Sequence, residues 1–130
     1  MALQDRNKRG FRRLLRSFVY ATNGLVYVIK REQNMQIHLA ISIAVLFLGL
    51  LLELSTYQWL VLLLVIGGIF SLEIMNTAIE RTVDLITDEY HPYAKRAKDI
   101  AAAAVFVYSI FAIIIGLIIF IPPLLEKWFS

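Results

Sequence analysis

Long apolar runs separated by short polar breaks dominate the chain: Ile37 to Leu54, Trp59 to Leu72, and Ile100 to Ile121. The first and third approach the roughly 20 residues that cross a bilayer as a helix. The second is interrupted by Glu73 and Asn76, yet between Tyr57 and Thr87 only the paired Gly67 and Gly68 weaken a helix. At about 1.5 Å per residue that segment runs roughly 45 Å, so its C-terminal turns leave the hydrocarbon. Ahead of these runs, Phe11, Leu14, Leu15, Phe18 and Val19 recur at helical spacing opposite Arg12, Arg13 and Arg16, the pattern of an amphipathic helix lying on a membrane surface. The pattern predicts an all-α integral membrane protein in one domain, residues 1–130, with a surface helix over about 8–30 and transmembrane helices over about 35–54, 57–87 and 96–121. Pro122 and Pro123 are expected to end the last helix. The small residues Gly67, Gly68 and Ser71, and the run Ala101 to Ala104, fit close helix packing.

Composition agrees with burial in lipid rather than in a water-soluble core. Hydrophobic residues make up 59% of the 130, and the mean hydropathy is +0.69, beyond the share a soluble domain of this size carries. There is no cysteine, which removes disulfides, thiolate metal sites and a cysteine nucleophile from consideration. His38 and His91 are too few and too far apart for a zinc site. The net charge of +3 is uneven, with Arg6, Lys8, Arg9, Arg12, Arg13 and Arg16 crowding the first residues. Beside apolar spans, such a run fits anionic lipid headgroups better than nucleic acid. The pattern of a cleaved signal peptide is absent, and the amino terminus is expected to be retained.

Charge also sets orientation. The connection Glu53 to Gln58 carries no Lys or Arg, whereas the second connection carries Lys95, Arg96 and Lys98, and the N-terminal segment is rich in both. Basic loops stay inside, so the N-terminus is expected in the cytoplasm and the C-terminus outside. Tyr57, Trp59 and Trp128 then fall at the outer interface, where aromatic belts form.

One feature contradicts an inert membrane helix. Glu73, Asn76, Glu80 and Asp84 fall on one face of the second span, with Thr77 beside them. Ionisable groups at membrane depth are costly and normally face a protein interior, a cation or a watery path. Candidate cations are Lys98, Arg96 and a divalent metal; Glu32, before the first span, and Lys98-Asp99, at the start of the third, lie at the same level. Asp84 can equally be a solvated helix end. Walker, Gly-rich kinase, H-E-x-x-H and G-x-S-x-G motifs are all absent. Three classes stay open on this basis: a small metal- and carboxylate-dependent membrane enzyme, an ion-coupled transporter, or a structural oligomer.

The segment Glu73-Ile-Met-Asn76-Thr-Ala-Ile-Glu80, followed by Val83-Asp84, Glu89-Tyr-His91 and Arg96-Ala-Lys98-Asp99, resembles the small prokaryotic diacylglycerol kinases. Glu53-Leu-Ser, Leu72 to Thr87 and His91-Pro92 look more like the undecaprenol kinase branch of Gram-positive bacteria. The resemblance implies a plasma-membrane homotrimer with active sites between protomers, transferring the γ-phosphate of ATP to a lipid alcohol with Mg2+. It implies that Glu73 is the general base and touches the lipid substrate with Arg13, and that Glu32 and Glu80 hold the metal. It places Arg13, Tyr20, Glu32, Asn76, Glu80, Glu89, His91, Lys98 and Asp99 at the nucleotide. Undecaprenol is the expected acceptor and diacylglycerol the alternative. Lys95 before Arg96, Ala102, and Thr22-Asn23 depart from the diacylglycerol kinase pattern, around the lipid entrance rather than at the metal or base positions.

Overall fold

The computed structural model describes residues 10–129, with side chains to Trp128. Arg6, Lys8 and Arg9 lie outside the described residues. Four helices follow one another: α1 (Phe11–Arg31), α2 (Gln33–Leu51), α3 (Thr56–Ile86) and α4 (Pro92–Phe129). Three of them, α2, α3 and α4, are long and apolar enough to cross a membrane.

The α1–α2 break is a single residue. Glu32 takes an extended conformation (φ −103°, ψ 116°), ending one helix and preceding the next. Its N–H still bonds to the Val28 carbonyl, and its own carbonyl accepts from Gln36 N. The Gln36 side-chain amide donates to the carbonyls of Ile29 and Lys30 at 3.1 and 3.3 Å, so α1's last turn is satisfied from α2. The corner is therefore built, and it fixes where the Glu32 carboxylate starts.

The α2–α3 turn is a Schellman closure, in which Leu54 N bonds to Gly49 O and Glu53 N to Leu50 O. The residue in the left-handed region is Glu53, at φ 52°, where glycine is usual. Ser55 then caps α3: its hydroxyl accepts from Gln58 N at 3.4 Å and Gln58 Oε1 accepts from Ser55 N at 2.8 Å, a reciprocal capping box. Around this turn lies the apolar core of Leu54, Leu62, Ile119 and Phe120, with Trp59 and Leu124 against it.

α3 and α4 pack against each other most extensively. Tyr108 lies over Gly68 so closely that a Cβ there would run into its ring, and its hydroxyl donates to the Leu64 carbonyl at 3.2 Å. Gly67, by contrast, faces open space, and its carbonyl accepts from Ser71 Oγ. Of the paired glycines, only Gly68 makes the close approach.

The last helix runs past Pro122 and Pro123 to Phe129, against the expectation that they end it. Two prolines remove two backbone donors and cost about 3 kcal/mol or more each in an isolated helix. Here the turns beyond them are fastened: Leu124 packs on the core, and Lys127 Nζ donates to the Leu51 carbonyl at the end of α2 at 3.1 Å. Long-range contact overrides the local stop signal.

Candidate functional site

The buried polar residues of the described chain are Ser42, Glu73, Asn76 and Thr77, while large apolar side chains such as Leu64, Phe47 and Ile118 point outward. That distribution suits a protein surrounded by lipid, in which polar groups must be satisfied inside. Three of the four lie together on α3, at the end of the bundle opposite the α2–α3 turn.

Helical period explains how the polar stripe becomes a graded site. Glu73 is 2% exposed, Asn76 7% and Thr77 4%, while Glu80 and Asp84, further along the same helix, are half-buried. Asn76 Nδ2 donates to Glu80 Oε1 at 3.0 Å, one turn on, and fixes that carboxylate. Asn76 Oδ1 and Glu73 Oε1 are buried without a hydrogen-bond donor. Such groups are rare in folded chains and mark places where a further partner belongs.

The cations are distributed differently from expectation. Lys98 reaches Asp84, Nζ to Oδ1 at 2.5 Å, across the α3–α4 seam, and does not serve Glu73. The reason is depth: Asp84 lies three turns beyond Glu73 on α3, level with the first turns of α4. Arg96 lies over the Tyr93 ring at 5.9 Å. Arg81, which the sequence pattern did not single out, donates to Glu32 Oε1 at 2.5 Å and approaches Asp84 Oδ2 at 3.8 Å. It also sits 6.0 Å above the Tyr27 ring. Beside Glu73 stands His38, Nε2 to Oε1 at 3.1 Å, the residue set aside as unable to form a zinc site. Its signal was weak: His38 follows Gln33, Asn34 and Gln36 at the polar start of α2, where an imidazole does not stand out.

Asp84 joins Lys98 and Arg81 on partly exposed side chains. Asn76 holds Glu80 one turn beyond itself and Arg81 holds Glu32 against the same stretch of α3, so the carboxylates gather at this end of the helix. No group of three or more His, Cys, Asp or Glu able to hold a metal occurs among the described residues. Glu32 and Glu80 nevertheless offer hard carboxylate oxygens, and Asn76 an unsatisfied amide oxygen. Magnesium takes one or two carboxylates and fills its shell with phosphate and water, so this donor set fits it.

Beyond the stripe a cleft of about 300 Å³ opens between α3, its following loop and α4, lined by residues that include Asp84, Thr87, Glu89, His91, Lys95 and Lys98. Three residues expected at a nucleotide, Glu89, His91 and Lys98, are thus brought together. His91 also caps α4, its Nδ1 accepting from Tyr93 N at 3.3 Å ahead of Pro92 in the first turn. Asp99 is held by Lys95 at 2.6 Å outside the cleft wall. Arg13 and Tyr20 lie in the first half of α1 and do not line it either. A second cavity, about 430 Å³ and almost wholly apolar, runs between α2, α3 and α4 from His38, Ile69 and Ser109 toward Leu124.

The family model for prokaryotic diacylglycerol kinase matches residues 19–120. The chain is 54% identical over 112 residues to an undecaprenol kinase of Bacillus subtilis (strain 168), covering 86% of this chain and 91% of that one. It is 42% identical over 114 residues to a diacylglycerol kinase of Synechocystis sp., covering 87% of this chain and 65% of that one. It is 32% identical over 113 residues to the diacylglycerol kinase of Escherichia coli (strain K12), covering 83% of this chain and 88% of that one. With the match spanning α2, α3 and α4 as far as Phe120, and with the polar stripe inside it, this chain belongs to the prokaryotic diacylglycerol kinase family.

Proposed function

We propose that this multi-pass membrane protein is a lipid kinase that transfers the γ-phosphate of ATP to undecaprenol. The observation that carries this reading is the gathering of Glu32, Glu73, Asn76 and Glu80 at one end of an apolar bundle, next to a cleft lined by Glu89, His91 and Lys98. The 54% identity to an undecaprenol kinase, against 42% and 32% to the diacylglycerol kinases, favours undecaprenol as acceptor.

In this reading Glu73 takes the proton of the lipid hydroxyl as the new O–P bond forms and the bond from the γ-phosphorus to the bridging oxygen breaks, ADP leaving with the electron pair. Phosphoryl transfer needs alignment and charge neutralisation more than covalent help, and a positioned base contributes about 10²–10⁴-fold. Glu32 and Glu80 would hold Mg2+, which when bound neutralises phosphate charge. Lys98 exchanges Asp84 for a phosphate oxygen, and Arg81 holds Glu32 by Oε1, so that Oε2 would be the oxygen offered to a metal. Asn76 holds Glu80 in place. Glu89 and His91 line the nucleotide's side of the site, and Asp99, Arg13 and Tyr20 complete it when chains assemble.

Assembly is part of the proposal. The chain acts as a homotrimer with sites between protomers, because three spans alone leave the 430 Å³ apolar cavity unfilled and Arg13, Tyr20 and Asp99 apart from the cleft. The N-terminus faces the cytoplasm, the C-terminus faces outward, and α1 lies on the cytoplasmic surface with Phe11, Leu14, Leu15 and Phe18, all exposed in the single chain, in the lipid. An ion-coupled transporter would also bury carboxylates, but it normally needs repeats that this chain lacks. Competition between undecaprenol and diacylglycerol for labelled phosphate in mixed micelles tests the acceptor. Preferential labelling of undecaprenol, dependent on Mg-ATP, is expected; preference for diacylglycerol would replace the acceptor, and no lipid labelling would remove the kinase reading.

A further inference from the structure

Glu73 lies in an unusual setting for a carboxylate. Of the basic groups at its end of the bundle, Arg81 is engaged with Glu32 and Asp84, Lys98 with Asp84, and Lys95 with Asp99. Its nitrogen neighbour is His38 Nε2, at 3.1 Å from Oε1. The distance is that of a hydrogen bond but the alignment is not, and Oε1 is left without a donor. Catalytic hydrogen bonds are often misaligned until substrate is bound.

His38 has a second contact. Its ring lines the apolar cavity between α2, α3 and α4, near Ser42, Ile69 and Ser109, whereas Glu73 is not part of that wall. The imidazole is thus the polar group common to the carboxylate and the cavity. It is 21% exposed on its side chain, against 3% for Glu73.

We propose that His38 is a positioning residue for Glu73. Neutral, with its proton on Nε2, it donates to Glu73 Oε1 and holds the carboxylate so that Oε2 faces the acceptor hydroxyl. The hydroxyl proton goes to Glu73 and His38 keeps its own, so no further proton acceptor is required. An imidazole and a carboxylate that fix each other's orientation are a recurring device where one of the pair does proton chemistry. The inference rests on Glu73 being the base.

Reach separates positioning from mere packing. A glutamine amide nitrogen falls where Nε2 of the histidine was, while an asparagine amide stops at the level of Nδ1. In the full-length protein in lipid micelles, H38N is expected to lower kcat about 10- to 100-fold while leaving KM for Mg-ATP within about twofold, and H38Q is expected to recover most of kcat. Joined to E73Q, H38N should cause no further loss, because the group it positions is already gone. Binding of Mg-ATP to each variant establishes that the protein is assembled, and H38L replaces H38N if that variant does not bind. Normal turnover in H38N, an equal loss in H38Q and H38N, or an added loss in the double variant would each overturn the proposal. If E73Q itself turns over normally, the base reading fails and the proposal with it. An impaired E73Q beside an unimpaired H38N removes the His38 role alone.

Discussion

The two ends of the bundle are made by opposite means. At the α2–α3 turn, Leu54, Leu62, Ile119 and Phe120 close an apolar core, Ser55 and Gln58 cap α3, and Lys127 donates to the last carbonyl of α2. At the other end, Glu73 and Asn76 are buried with acceptors unsatisfied, and Glu32, Arg81, Asp84 and Lys98 form a chain of ion pairs on partly exposed side chains. The first arrangement satisfies its helix ends within one chain. The second is open, and its groups are held in place yet remain short of partners. Under the proposed function, stability and chemistry are separated along the bundle, because a fully satisfied polar cluster would have nothing left to offer a substrate.

Substitutions at the two ends should break in different measurements. The largest effect is expected from Glu73→Gln, with turnover lowered at least about 100-fold while Mg-ATP binding and thermal stability stay near normal. Kinetics paired with a nucleotide-binding assay checks it, and a normal rate would refute the assignment. Next comes Gly68→Ala in the α3–α4 seam between the two ends, where the new methyl meets Tyr108. A loss of about 1–3 kcal/mol is expected in detergent unfolding, with part of it regained when Tyr108→Ala is added. Smallest is Glu53→Gly at the turn end. Placing glycine at φ 52° should raise stability by up to about 1 kcal/mol and leave turnover unchanged. A change in turnover from Glu53→Gly would show that the ends are coupled rather than separate.

Ion pairs at the polar end read differently once Arg81 is included. Sequence spacing pointed to Lys98 and Arg96 as partners of the stripe, since both sit in the motif at the start of α4. Lys98 does reach the stripe, but at Asp84. Arg81 points off the Glu73 face toward Glu32 and Tyr27, and that direction depends on where the α1–α2 corner brings Glu32. Neither partner lies within a helical turn of Arg81 in sequence, so no local pattern announces the contact.

By itself the sequence determined the three apolar helices, the common face of Glu73, Asn76, Glu80 and Asp84, and the kinship of the motif around them. Hydropathy and a 3.6-residue period are properties of neighbours along the chain, so a single chain displays them in full. Tertiary structure alone decided that α4 continues through Pro122 and Pro123, that Gly68 rather than Gly67 takes Tyr108, and that His38 rather than a lysine stands beside Glu73. Each of those outcomes turns on a contact between helices whose residues are 30 or more positions apart, and such contacts are set by how the helices pack rather than by what either one prefers.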